Sequence, residues 1–262
     1  MEFKALVFDL DGTLYEPRHF ALRLIFSDPL HIGMLAAERK CRKKLRERHF
    51  DKASDYYDAL FLMMAGGSAE KAGKCREWFY GSYMPSQVRI IREKFGPRPQ
   101  LKELLTALHA EGIRTAVLSD YCFTTEKLAA IGLSEADFDA VWESPQFGGL
   151  KPRREVFTGA RKALGTTPEE TAMVGDRADT DGGAVQAGLG FFHIVKEDSS
   201  AKEKRVAKKS FAHPPTDLLT PADWRLRPLS GVSRAHARSL RDSLDRLHKE
   251  LTWNQFLQLF LK

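Results

Sequence analysis

Apolar residues follow two rhythms along this chain, and the change between them divides it. A continuous run, Ala5 to Phe8, leads straight into Asp9, Leu10, Asp11 and the turn pair Gly12-Thr13. A short apolar run closed by a glycine turn predicts a buried parallel strand, residues 4–9, with Asp9 as its last member. From Tyr15 to Phe95 apolar residues recur at three- and four-residue steps: Phe20, Leu22, Leu24 and Ile25, then Tyr56, Tyr57, Leu60, Phe61 and Met64. Gly66-Gly67-Ser68 marks a turn, and Ser68 is placed to cap a helix with Glu70 in its first turn. A further helix is predicted over Lys74–Tyr83. Nothing here alternates with period two, so residues 16–95 read as a helical insertion, closed by the break Gly96-Pro97-Arg98-Pro99.

Beyond that break, helix and strand patterns alternate. A helix over Gln100–Ala110 carries Leu101, Leu104, Leu105 and Leu108 on one face. A strand follows over Ile113–Leu118, ending at Ser119-Asp120. Then come a helix over Thr124–Ile131, a strand over Phe138–Trp142, a helix over Pro152–Leu164, a strand over Thr171–Val174 running into Gly175-Asp176, a helix over Asp181–Ala187 and a strand over Gly190–Val195. Such alternation predicts an α/β fold with a doubly wound parallel sheet, its first strand separated from the second by the helical insert. The expected organisation is a core from residues 1–15 and 96–198, an all-helical insert over 16–95, and a basic, partly helical C-terminal extension over 199–262. In that extension Ser199 to Lys209 reads as a linker or exposed helix, and Pro214, Pro215, Pro221 and Pro228 as an extended wrap. A helix is expected from Ser233, with Leu240, Leu244, Leu247 and Leu251 in a stripe that Trp253, Phe256, Leu257 and Phe260 continue. Packing on its own core is the favoured role for that stripe, with a homodimer through the C-terminal helix as the alternative.

Composition adds class and compartment. A hydrophobic content of 43% and a charged content of 29% over 262 residues suit a soluble globular protein. No segment reaches the ~18 uninterrupted apolar residues of a membrane span, and the first strand begins too early to leave room for a signal peptide. Cys41, Cys75 and Cys122 have neither metal-ligand nor redox spacing, so reduced thiols and the cytoplasm are expected. The net charge of +6 is uneven: residues 16–95 hold 16 Lys/Arg against 10 Asp/Glu and residues 199–262 hold 13 against 6, so the catalytic-looking remainder is acidic. The densest basic run, Glu38 to Arg48, has no interleaved aromatics and no accompanying nucleic-acid motif; a solvated helix face is expected rather than a polyanion-binding surface.

The strand ends hold the chemistry. Asp9 and Asp11 follow the first strand, Ser119 ends the second, Lys151 comes after the third, and Asp176, Asp179 and Asp181 follow the fourth. A capping turn would explain any one of these, but a parallel sheet brings them all to one edge, where ligands bind in such folds. Several carboxylates with one ammonium suit Mg²⁺ together with a substrate phosphate. A carboxylate that attacks phosphorus gives an aspartyl-phosphate, and an acid two residues away can exchange protons with the leaving group and with water.

With these residues in place the chain resembles the phosphatases of the haloacid dehalogenase (HAD) superfamily, in the branch that holds phosphoglycolate phosphatases and β-phosphoglucomutases. Four motifs occur in order: Val7-Phe8-Asp9-Leu10-Asp11-Gly12-Thr13, Ser119, Lys151-Pro152, and Val174-Gly175-Asp176 through Asp181. The resemblance covers roughly residues 1–198. It implies a Rossmann-like core with a helical C1 cap over 16–95, and a hydrolase that uses Mg²⁺ on a small phosphorylated substrate. By that resemblance Asp9 is the nucleophile and a metal ligand, and Asp11 the general acid/base with its main-chain carbonyl on the metal. Ser119, Lys151 and the neighbouring Asp120 are assigned to the phosphoryl group. Asp176 binds the metal directly and Asp181 does so through water or by orienting Asp176. Asp11 argues against dehalogenation, since dehalogenases lack that acid. A phosphomutase shares the same set and stays open, as does a non-catalytic scaffold recruited through its basic tail. For the substrate, Arg18 and His19 are the candidates at the cap hinge, with Arg18 the anion contact unless it sits in a surface ion pair. Gly66-Gly67-Ser68 is read as a plain turn. No membrane or nucleic-acid partner is expected.

Overall fold

Strand β1 (Ala5–Phe8) is buried along its whole length, as its unbroken apolar run requires. The computed structural model describes residues 3–196 and 248–261. Around β1 the sheet adds β2 (Arg114–Ser119), β3 (Ala140–Glu143), β4 (Thr171–Gly175), β5 (Gly190–Val195) and β6 (His248–Thr252). The order is β3-β2-β1-β4-β5-β6, and every neighbouring pair is parallel. Chain order therefore reverses between β1 and β4, which opens a crevice at their carboxyl ends. The loops after β1 and β4 carry Asp9 and Asp176 to that crevice.

Five helices make up the insert that follows β1: α1 (Phe20–Ser27), α2 (Ile32–Leu45), α3 (Ala53–Met64), α4 (Ala69–Trp78) and α5 (Met84–Lys94). They bury a cluster of their own that includes Leu45, Tyr56, Leu60, Phe61, Trp78 and Phe79. The Ser68 cap forms, its hydroxyl accepting from Lys71 N at 3.4 Å. The helix expected to end at Tyr83 instead runs on through a π-turn, Phe79–Tyr83, into α5. Pro85 lacks the N–H that the Gly81 carbonyl needs, and a π-turn absorbs such a gap in the ladder. On the core side α6 (Leu101–Ala110) and α7 (Thr124–Ala130) accompany β2 and β3, and α8 (Arg154–Ala163) precedes β4. Residues Asp181–Ala187 form a 3₁₀ segment where an α-helix was expected.

The C-terminal stretch departs most from expectation. Residues 248–252 form a strand, so Leu251 belongs to a sheet edge and not to a helical leucine stripe. The short helix α9 (Trp253–Leu257) then packs Trp253, Phe256 and Leu257, at 3%, 0% and 4% exposure, into the core with Phe8 and Phe192. The described end of the expected stripe therefore packs on this chain's own core, while Leu240, Leu244 and Leu247 lie outside the described residues. The linker, the proline-rich wrap and the helix expected from Ser233 lie outside the described residues. No single helix among the described residues is long and apolar enough to cross a membrane.

Candidate active site

The site begins where β1 ends. Asp9 N donates to Val174 O at 2.8 Å, which fixes the first carboxylate beside the end of β4. The turn at Gly12 has φ +105°, and a Cβ there would stand 2.3 Å from Asp176 Oδ2, so only glycine lets the two loops close. Lys151, 1% exposed, reaches in from the loop after β3. Its Nζ donates to Asp9 Oδ1 at 2.6 Å, to Asp181 Oδ1 at 2.7 Å and to Leu118 O at 3.0 Å. Thr13 Oγ1 donates to the other Asp9 oxygen at 3.5 Å, and Arg177 N donates to Asp181 Oδ2 at 3.1 Å. Ser119, buried beside them, accepts from Tyr121 N at 3.1 Å.

Two carboxylates thus share one ammonium, and a third, Asp176, stands beside them. Burial pushes the carboxyl pKa of Asp9 up, with Lys151 opposing and Asp181 and Asp176 reinforcing. Burial and the Asp181 charge push Asp176 up to about 7. Burial disfavours the Lys151 ammonium, but Asp181, Asp9 and Asp120 outweigh it and hold its pKa above the usual range. Asp9, Asp176 and Asp181 each present an oxygen within 4.8 Å of the others, and Asp176 Oδ1 is buried with no hydrogen-bond partner. An all-oxygen, negatively charged set with one unsatisfied acceptor fits a hard divalent cation such as Mg²⁺.

Asp11 stands apart from this cluster. Its two oxygens accept from Tyr15 OH at 2.5 Å and from Lys127 Nζ at 2.8 Å, the Lys127 side chain being fully buried. Asp120 does not offer its carboxylate to an anion: Oδ1 accepts from Lys151 N at 3.0 Å and so anchors the loop that delivers the ammonium. Arg18 and His19 are exposed, and Arg18 donates to Glu16 at 3.2 Å on the surface, so neither is brought to the carboxylates.

Residues 3–188 match the haloacid dehalogenase-like hydrolase family. The chain belongs to that family. It is therefore a hydrolase, and its relatives are similar over most of their length. One is the glyceraldehyde 3-phosphate phosphatase of Methanothermobacter thermautotrophicus, 28% identical over 78% of this chain and 91% of that protein. Another is the protein of the same name from Methanocaldococcus jannaschii, 31% identical over 68% of this chain and 78% of that protein. Among solved structures, the L-2-haloacid dehalogenase of Xanthobacter autotrophicus superposes with a TM-score of 0.53 at 20% identity, covering 79% of this chain and 83% of that one. That likeness is one of fold.

Two features of the hydrolase escaped the sequence reading. Lys127, which holds Asp11, lies in mid-helix and looked like any surface lysine. Arg42 was counted within a solvated basic run, yet it is 5% exposed and Glu38 is fully buried. Arg42 Nε donates to Glu38 Oε1 at 2.6 Å, Nη1 donates to Asp120 O at 2.7 Å, and the guanidinium lies 3.8 Å from the Tyr121 ring centroid. It joins the insert to the loop that follows Ser119. On the outer side of the seam, Tyr57 OH donates to Glu143 Oε2 at 2.9 Å.

Proposed function

We propose that this hydrolase is a Mg²⁺-dependent phosphomonoesterase that cleaves a small phosphorylated metabolite through an aspartyl-phosphate on Asp9. The observation that carries the reading is the pair of buried carboxylates, Asp9 and Asp181, on one Lys151 ammonium, with the half-buried Asp176 beside them and its Oδ1 left unpartnered. Asp9, Asp176, Asp181 and the Asp11 carbonyl are the ligands expected to hold the ion. When bound, it supplies positive charge to the phosphoryl oxygens and offsets the acids that would repel them.

The residues themselves divide the work as follows. An Asp9 oxygen attacks phosphorus, forming the new P–O bond as the bond to the substrate oxygen breaks. Asp11 gives that departing oxygen a proton. Asp11, now a carboxylate, takes a proton from water as the water attacks phosphorus, which releases phosphate and restores both acids. Lys151 and Ser119 hold the non-reacting phosphoryl oxygens. Tyr15 and Lys127 orient Asp11, and Asp120 orients Lys151. The helical insert serves as the cap that excludes water, with Arg42 and Tyr57 at its seam. The three cysteines are free and buried, which suits a cytoplasmic enzyme.

The test is phosphate release by wild type and Asp9→Asn side by side, with Mg²⁺ and after EDTA. p-Nitrophenyl phosphate serves as a general substrate, and glyceraldehyde 3-phosphate comes first among metabolites because of the relatives' names. Release that depends on both Asp9 and Mg²⁺ supports the proposal. Activity that survives in Asp9→Asn, or isomerisation of a sugar phosphate without release, overturns it.

A further inference from the structure

At the β6 edge of the sheet, next to the acid cluster but sharing no side chain with it, sits a second group of metal-ligating side chains. Parallel pairing sets His193 opposite Glu250 and Phe191 opposite His248. Because side chains alternate along a strand, all four stand on one face. Phe191 stacks against both imidazoles, with ring centroids 5.6 Å from His193 and 5.2 Å from His248. That stacking limits how far either ring can turn.

Which ring nitrogen of His193 carries the hydrogen follows from its neighbours. Nε2 lies 3.1 Å from the main-chain oxygen of Asp176. A carbonyl can only accept, so Nε2 carries the hydrogen, and in the neutral ring Nδ1 presents a lone pair. Nδ1 is buried and has no hydrogen-bond partner among the described residues. It faces Glu250 Oε1 at 3.7 Å. Two acceptors at that distance repel each other unless positive charge lies between them. Ligands about 2.1 Å from a tetrahedral ion are roughly 3.4 Å apart, so small side-chain movements close the pair on a metal. His248 brings a third donor, and one ligand atom from each of the three residues lies within 4.8 Å of the others.

We propose that His193, His248 and Glu250 form a site for a borderline divalent cation of the Zn²⁺ or Co²⁺ class, separate from the Mg²⁺ cluster. Two imidazoles with one carboxylate select such ions, whereas Mg²⁺ prefers oxygen ligands alone. The hydrogen bond from Nε2 to the Asp176 carbonyl is the outer support that metal-bound histidines characteristically have, and it fixes which nitrogen faces the ion. Bound metal pins β6 to β5, so that chain leaving at Val195 and returning at His248 is fastened at both ends. It also steadies the main chain at Asp176.

The full-length protein, stripped with EDTA and then supplied with excess Mg²⁺ to occupy the acid cluster, is titrated with Co²⁺ and followed by its visible absorption. Wild type is expected to take up one equivalent with the intense bands of low-coordinate Co²⁺, and Zn²⁺ to displace it. Glu250→Gln and His248→Asn should each weaken uptake at least tenfold, while Asp176→Asn should keep it. Glu250 is largely exposed, so Glu250→Gln should melt like wild type without metal, and added Zn²⁺ should raise the melting temperature of wild type alone. No stoichiometric uptake by wild type, or undiminished uptake in Glu250→Gln and His248→Asn, overturns the site. Loss in Asp176→Asn with retention in Glu250→Gln assigns the ion to the acid cluster and overturns it equally. None of these readouts uses phosphate release, so the outcome is independent of the proposed activity.

Discussion

Lys151 sets the charge balance of the site, and its removal has a calculable consequence. Without the ammonium, Asp9 and Asp181 face each other while almost completely buried. Breaking a buried ion pair by deleting one partner costs about 3–5 kcal/mol. Lys151→Met should lose that much in urea denaturation of metal-free protein at pH 8. The loss should shrink at pH 5, where the carboxylates take up protons, and should be partly recovered by Mg²⁺. Asp9→Asn removes one negative charge from the same crowd, so it should keep or gain stability while phosphate release falls by about three orders of magnitude. Opposite movements of stability and rate distinguish a nucleophile from a structural acid; a fall in both refutes the assignment. Asp9, Ser119, Lys151, Asp176 and Asp181 were legible in the sequence because each follows a strand, and a parallel sheet gathers strand ends by topology alone. Lys127 and Arg42 were not. Their roles depend on which way a helix faces after packing, and a lysine or arginine at helical spacing carries no mark of that.

At the scale of elements, β6 and α9 support the loop after β1 from behind. Trp253 Nε1 donates to Pro99 O at 2.9 Å, and its ring lies 5.3 Å from the guanidinium carbon of Arg98. Arg98 in turn donates to Thr13 O at 2.8 Å and to Gly12 O at 2.9 Å. The end of the chain thus braces the turn that follows Asp9. Trp253→Ala should cost about 3–5 kcal/mol through the lost core side chain. It should also lower kcat, by releasing Arg98 and with it Gly12-Thr13. Arg98→Lys should reproduce the fall in kcat with a smaller loss of stability; unchanged kcat in both variants would show that the brace has no catalytic effect. The same elements show where pattern reading fails. Strands β1 to β5 were recognisable as apolar runs ending at turns. The stretch His248-Lys249-Glu250-Leu251-Thr252 is a polar edge strand whose leucine continues the three- and four-residue spacing of Leu240, Leu244 and Leu247 in the sequence. Only its pairing with β5 makes it a strand, and that pairing is tertiary.

Across the whole molecule negative charge is crowded into one buried cluster, Asp9, Asp176 and Asp181, and stability should record that crowding. Burial and the Asp181 charge push the Asp176 carboxyl up to about 7, well above the ordinary aspartate range. Asp9 and Asp181 are displaced in the same direction by burial. A carboxyl whose folded pKa is raised binds more protons folded than unfolded between the two values. Its contribution is therefore fully present below the unfolded pKa and is lost as pH rises through the folded one. The EDTA-treated protein should accordingly melt at a lower temperature at pH 8 than at pH 5, with most of the change complete by about pH 7. Mg²⁺ needs the ionised acids, so its binding should tighten over the same interval and its stabilising effect should be largest at pH 8. Asp176→Asn should flatten both dependences. Thermal denaturation across pH 5–8, with and without Mg²⁺, tests the coupling: a metal-free melting temperature that rises with pH, or an Mg²⁺ effect that is the same at pH 5 and pH 8, contradicts a charge-crowded site relieved by a cation.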